Sequence, residues 1–220
     1  MATIGIIGAG KVGTAVARLA VAAGDEVLLV GSPNAQFLEQ IVAVTAPGAR
    51  VASINEVADA AKLTILAVPF GKLDTVDLER FNGAIVVDAT NYWEAVDGTP
   101  ALLSRDSAGT SGHDSASEIV QALNPAMRVV KSLNHLGYHD IDTDGRPPAH
   151  PERRAVAVAG DHQDANDTVA AFLDRIGFDP VDIGPLSNGV VLQTGQPVFG
   201  TFVQRAELEA LATGGEEIAA

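Results

Sequence analysis

Ile4-Gly5-Ile6-Ile7-Gly8-Ala9-Gly10-Lys11-Val12-Gly13 is the stretch from which the fold follows. Ile4 to Ile7 has the composition of a buried strand. Val12 to Ala23 carries apolar residues at helical spacing and stops at Gly24, a natural helix C-cap. Between them lies Gly-x-Gly-x-x-Gly, directly after a strand and directly before a helix, the context a dinucleotide-binding turn demands. Gly8 suits the tight turn, Gly10 lets the backbone approach a pyrophosphate, and Gly13 lets the helix pack close to the sheet. Gly8, Ala9, Gly10, Lys11, Val12 and Gly13 are therefore expected to hold a diphosphate through free N–H groups and the helix dipole.

Working outward, short apolar runs alternate with helical patterns. Glu26–Val30 reads as a second strand and Asn34 to Val44 as a second helix. Ser53 with Glu56, and Ser115 with Glu118, have capping-box spacing; they open helices running to Ala61 and to just before Asn124-Pro125. Further strands are expected at Leu63–Val68, Ala84–Val87, Arg128–Lys131, Ala155–Ala159 and Asp179–Ile183. Asp161 to Arg175 and Gln204 to Leu211 read as helices, Asp88–Asp114 and Ser132–Arg153 as long polar loops, and Gly214 onward as a frayed tail. Strands joined through helices need parallel crossovers. The expectation is an α/β fold: a Rossmann-type, doubly wound, mostly parallel sheet with helices on both faces. It forms a single dinucleotide-binding domain over residues 1–220, with a short C-terminal helical extension from about residue 190.

Composition narrows the partners. The 220 residues are 47% hydrophobic, enough for a sizeable core. Aromatic residues make up only 5%, which argues against a base-stacking surface. Lys and Arg number 14 against 28 Asp and Glu, and a net charge of −14 repels nucleic acid and anionic lipid. No apolar run is long enough to span a membrane, and Met1-Ala2-Thr3-Ile4 has neither the basic start nor the cleavage site of an export signal; a cytoplasmic protein is expected. With no Cys there are no disulfides, iron–sulfur clusters, thiolate zinc sites or cysteine nucleophiles.

The second strand ends Val30-Gly31-Ser32-Pro33-Asn34, without the acid that an NAD site places there for the ribose hydroxyls. NADP is favoured over NAD, with Gly31, Ser32, Asn34 and the next helix N-terminus as donors to the 2′-phosphate. Tyr92 and Tyr138 have no Lys four residues on, and neither His-Glu-x-x-His nor Gly-x-Ser-x-Gly occurs. At the carboxyl ends of strands, where α/β sheets bind ligands, stand Val68-Pro69-Phe70, Asn91-Tyr92-Trp93 and Asn134-His135. Val68, Pro69, Phe70 and Asn91 are expected to wall the cofactor, with Asn134 and His135 as the catalytic candidates. His135 and His139 are four apart, but Gly137 between them argues against one helix, so no metal site is expected. His113, His150 and His162 read as solvated, and Glu56 and Glu118 as capping residues. The stretch Gln193 to Leu211, with Val198, Phe199, Phe202, Val203 and Leu208, either covers the acceptor site, buries a homodimer interface, or packs on its own domain.

The chain resembles the coenzyme F420-dependent NADP reductases. The resemblance is carried by Ile4 to Gly13, Val30-Gly31-Ser32, Ser115 to Val120, Gly160-Asp161 and Gly184-Pro185-Leu186-Ser187-Asn188. Tyr92-Trp93 and Asn134 to His139 look like a bacterial subgroup. What the resemblance implies is hydride passing between NADP(H) and a deazaflavin, coenzyme F420, as second substrate. The protein then stacks two hydride carriers and excludes water. Family members usually carry basic residues after the Gly-Ser pair, where Pro33 and Asn34 stand here. Arg146, Arg153, Arg154 and Lys72 are the basic groups available to an anionic deazaflavin. The alternatives are NADPH-dependent reduction of an imine, flavin or ferric chelate, and a non-catalytic dinucleotide-binding protein. The chain after the last expected strand is too short for the helical domain that imine and hydroxyacid reductases add.

Overall fold

The glycine turn does lie between strand and helix, and the rest of the sheet is laid out from it. The computed structural model describes residues 1–32, 34–98 and 115–213. Pro33, His113, the later part of the expected loop (99–114) and the expected tail from Gly214 lie outside the described residues. The elements are β1 (Thr3–Ile7), α1 (Lys11–Ala22), β2 (Glu26–Val30), α2 (Leu38–Thr45), β3 (Arg50–Val51), α3 (Ile54–Ala60), β4 (Leu63–Leu66) and β5 (Ile85–Asp88). Then follow α4 (Glu94–Asp97), α5 (Ala116–Leu123), β6 (Arg128–Lys131), α6 (Tyr138–Thr143), β7 (Ala155–Gly160), α7 (Gln163–Arg175), β8 (Asp179–Asp182) and α8 (Arg205–Ala212).

The sheet has eight strands in the order β3-β2-β1-β4-β5-β6-β7-β8. The first six are parallel, β7 runs antiparallel to β6, and β8 is parallel to β7. Strand order reverses between β1 and β4, and that switch point is where such sheets open a crevice. Both faces are covered. Ile4, Ile6, Leu29, Ile65 and Val87 pack with α1 and α7 on one face, while Ile7, Leu28, Leu66, Val86 and Val129 pack with Phe70, Phe81 and Val120 on the other. Burial on both faces is why these strands read as continuous apolar runs rather than alternating ones.

The structure departs from the sequence reading, or adds to it, at four places. The second helix starts at Leu38, not Asn34, because Phe37 takes a left-handed conformation (φ 60) and Ala35 N–H turns back to the Ser32 carbonyl. The two-residue strand β3 was too short to register as a pattern. The β4–β5 crossover is made by two 3-10 turns, Phe70–Thr75 and Leu78–Phe81, instead of an α-helix. Residues 132–136, read as a polar loop, are all buried: Ser132 donates to the Ala157 carbonyl (2.7 Å), and the polar side chains are drawn into the interior. The late stretch packs on its own sheet, with Val198, Val203 and Leu208 buried against Ala155, Ala157 and Val181. Among the described residues, no helix is long and apolar enough to cross a membrane.

Candidate functional site

A cleft of about 900 Å³ opens at the switch point, over the carboxyl ends of β1, β2 and β4. Its floor is the glycine turn. Gly8 has φ +120, and its N–H donates to the Val30 carbonyl (2.8 Å). A Cβ there would lie 2.3 Å from the Ala67 carbonyl oxygen. At Gly13 a Cβ would fall 1.9 Å from the Gly8 carbonyl oxygen, so α1 rests directly on the turn that precedes it. At Gly10, by contrast, a Cβ would meet nothing within 4 Å. Two glycines are therefore required by the protein's own packing, and the middle one keeps a space clear in front of the α1 N-terminus. No side chain caps that terminus and no acid stands in its first turn, so its N–H groups are left for an anion. The residues fit a dinucleotide diphosphate.

Gly8, Ala9, Gly10, Gly31, Ser32, Val68 and Pro69 line this cleft. Lys11, Val12, Gly13, Asn34 and Phe70 do not. Gly13 is the packing contact just described, and Lys11 is exposed, with its Nζ on Tyr138 Oη. Asn34 sits in a turn before α2, its N–H toward Ser32 Oγ (3.4 Å), so it is not part of a helix N-terminus. Phe70 is fully buried, edge-on to Tyr92 at 5.7 Å, which corrects its expected place at the nicotinamide. Lys72 is the one basic side chain among the described lining residues. It arrives from the 3-10 turn after β4, whereas the sequence offers it to the deazaflavin rather than to the nucleotide.

A second cavity of about 350 Å³ adjoins the first, and Pro69 lines both. Its wall is mainly apolar: Val12, Leu133, Leu136, Trp93, Val96 and Phe199, with Asn91, Asp97, Asn134, Tyr138 and Thr194 as polar members. Leu133 takes φ 65, a left-handed conformation uncommon for a leucine, in the turn that ends β6. That turn brings Asn134 against Asn91. Asn91 Nδ2 donates to the Asn134 carbonyl (2.7 Å), and Asn134 Nδ2 donates to Asn91 Oδ1 (2.9 Å) and the Leu192 carbonyl (2.7 Å). Asn134 Oδ1 is buried and has no partner.

His135 is corrected as a catalytic candidate. It is 1% exposed, lines neither cavity, and neither ring nitrogen has a partner. Burial, with the positive charges of Arg154 and Lys131 nearby, drops its pKa to about 3. A neutral imidazole buried in the interior keeps one N–H but is far too weak an acid to protonate an acceptor, and it touches neither cavity. The arginines proposed for the acceptor are also spent elsewhere. Arg154 is buried between Asp140 (2.9 Å) and Asp144 (2.7 Å), Arg153 pairs with Asp174 (2.7 Å), and Arg146 donates to the Thr143 carbonyl (2.6 Å). The capping readings of Glu56 and Glu118 match the structure, since both capping boxes are complete. The Glu56 carboxyl is held down to about 2, first by the Ser53 N–H and then by Arg50.

Known proteins bear on this geometry. Residues 3–92 match the family described as NADP oxidoreductase, coenzyme F420-dependent. That stretch contains the glycine turn, Gly31-Ser32, Val68-Pro69 and Asn91. The structure of the hypothetical protein SMa0349 from Sinorhizobium meliloti is similar, with a TM-score of 0.76 at 29% identity, covering 92% of this chain and 95% of that one. A candidate F420-dependent NADP reductase from Arthrobacter sp. FB24 has a TM-score of 0.69 at 25% identity, covering 92% and 99%. An imine reductase from Bacillus cereus shares the fold alone, at 15% identity and a TM-score of 0.59, covering 87% of this chain and 57% of that one. A search of curated proteins found no match. These findings support the family resemblance read from the sequence and, more coarsely, an NAD(P)-dependent oxidoreductase.

Proposed function

We propose that the chain transfers hydride between NADP(H) and a deazaflavin of the coenzyme F420 type. The observation that carries this reading is the pair of cavities meeting at Pro69, one floored by open glycine backbone and the other walled by apolar side chains. NADP(H), when bound, supplies or accepts the hydride at its nicotinamide ring. The α1 N-terminus and Gly10 receive the diphosphate. Ser32 and Lys72 line the cleft, the turn after β2 carries no acid, and Asp77, the acid among the described lining residues, pairs with Arg80 (2.9 Å), which suits a 2′-phosphate better than free ribose hydroxyls. Trp93, Val96, Leu133 and Phe199 give the second cavity an apolar wall against which a planar ring can be held, and such a ring would cover Trp93 and Val96, which otherwise stand exposed. Excluding water there protects a hydride carrier and needs no nucleophile.

The test is equilibrium binding of NADPH and NADH by fluorescence, each with and without oxidised coenzyme F420, while following the deazaflavin absorbance. The reading expects tighter binding of NADPH and bleaching of the deazaflavin only when NADPH is present. Binding without bleaching would remove the deazaflavin and keep the nucleotide.

A further inference from the structure

We propose that Tyr138 and Lys11 form a proton-donating pair at the second cavity, so that Tyr138 Oη supplies the proton that accompanies hydride to the acceptor. The inference rests on the functional reading above and deepens it. A Tyr-x-x-x-Lys pair is absent from the sequence, but the fold assembles its parts from residues 127 apart. Lys11 Nζ lies 3.2 Å from Tyr138 Oη and 4.6 Å from the centroid of its ring. Each residue is the first of its helix, α1 and α6, and the Arg18–Asp142 ion pair (2.5 Å) ties these helices together one to two turns further on. Lys11 stands between Gly10, which lines the nucleotide cleft, and Val12, which lines the second cavity together with Tyr138. Tyr138 therefore lines the acceptor cavity, with its Lys11 partner next in sequence to the glycine that lines the nucleotide cleft.

The ammonium donates to the phenol oxygen and leaves the phenolic hydrogen free. Reducing a deazaflavin adds hydride to ring carbon and a proton to ring nitrogen. In the proposed step the Tyr138 O–H bond breaks, an N–H bond forms on the acceptor, and NADPH provides the hydride. The charge left on the phenol oxygen is offset by the Lys11 ammonium beside it. Tyr138 is half-buried, so water can return the proton afterwards. Among the described residues, the other polar groups of the second cavity are poorer proton donors. Asn134 has both amide hydrogens engaged and Asn91 one of its two, amides and the Thr194 hydroxyl being far weaker acids than a phenol, and Asp97 is already accepting from the Gly71 and Trp93 N–H groups.

Two measurements test the pair. The first needs no ligand. The protein has two tyrosines, so isotope-labelled tyrosine Cζ gives two NMR lines, and Tyr138→Phe identifies the second. Lys11→Met should move the Tyr138 line and leave Tyr92, whose hydroxyl donates to the Gly98 carbonyl, in place. An unmoved line overturns the pair. The second follows NADPH oxidation with oxidised F420 and, separately, with methylpyrroline, a cyclic imine. Tyr138→Phe should keep NADPH affinity but slow turnover by about 100-fold and abolish the solvent deuterium effect, with Lys11→Met falling between. Wild-type rates in Tyr138→Phe overturn the proposal and leave the deazaflavin reading standing. Tyr138-dependent reduction of the imine with no bleaching of F420 does the reverse. A wild-type protein that reduces neither overturns both.

Discussion

Lys131 and Asp88 are register partners on β6 and β5, and Lys131 Nζ lies 3.1 Å from Asp88 Oδ2 with neither side chain more than 1% exposed. The carboxylate also accepts from Ser117 Oγ (2.6 Å) and the Thr90 N–H (2.9 Å), while the ammonium donates to the Thr90 carbonyl. Burial pushes the lysine's pKa down, and Asp88 pulls it partly back. The cluster fixes the carboxyl ends of two central strands, from which Asn91 and Asn134 reach the second cavity.

Removing one partner strands a buried charge, whereas removing both need not. Asp88→Asn should therefore cost about 3–5 kcal/mol of unfolding free energy. Asp88→Asn combined with Lys131→Met should cost clearly less than the sum of the two single changes. Urea denaturation of the four proteins measures this. Additive costs would mean that the pair is screened by water and not buried as described.

His135 makes stability depend on acid. Its folded pKa, about 3, lies below the ordinary value of 6.5, so the unfolded chain takes up a proton that the folded chain refuses. The contribution is present in full above pH 6.5 and is lost as pH falls toward 3. Across that window His135 contributes at most on the order of 4 kcal/mol to the acid loss. His135→Gln should flatten the acid limb of the stability curve relative to wild type. If the two curves stay parallel from pH 7 to 4, the imidazole is hydrated in solution.

How much could be read from the chain depended on where the deciding interactions lie. The β1–α1 turn was legible because the positive φ of Gly8 and the contact of Gly13 with the Gly8 carbonyl are local, and the two capping boxes because Ser53–Glu56 and Ser115–Glu118 are local pairs. Strand runs were legible because both faces of a parallel sheet are apolar. His135 was misread because its surroundings come from parts of the chain distant in sequence: the Arg154 charge lies nearby and the Gly200 N–H donates to the His135 carbonyl (2.9 Å). Lys72 reads from the sequence as a basic group for the deazaflavin, and a 3-10 turn carries no periodicity to show that it lines the cleft of the glycine turn. The Tyr138–Lys11 contact spans two helices and leaves no spacing for a motif to record.

Lys72 decides between the two nucleotides if it meets the 2′-phosphate. Lys72→Met removes the one cation among the described lining residues of the cleft, and its side chain is exposed, so the fold should not suffer. NADPH affinity should fall by about tenfold, corresponding to roughly 1.4 kcal/mol, with NADH affinity unchanged. The NADPH loss should shrink at high salt. Equal losses for both nucleotides would place Lys72 on a group they share, such as the diphosphate.

Gly10 and Gly13 separate binding from folding. Alanine at Gly13 gains about 1 kcal/mol of helix propensity. It would nevertheless drive a methyl to 1.9 Å from the Gly8 carbonyl oxygen, a backbone atom that cannot turn aside. The overlap should win, with net destabilisation of roughly 1–3 kcal/mol and the turn displaced. Gly10 has φ −84 and ψ −171, which alanine adopts freely, and its Cβ would meet no protein atom within 4 Å. Gly10→Ala should melt within a few degrees of wild type while losing dinucleotide affinity by at least about tenfold, because the methyl enters the space left for the diphosphate. Differential scanning fluorimetry beside NADPH titration reads both effects. Undiminished affinity in Gly10→Ala would show that the diphosphate does not approach this backbone, and the glycine turn would then be a packing device only.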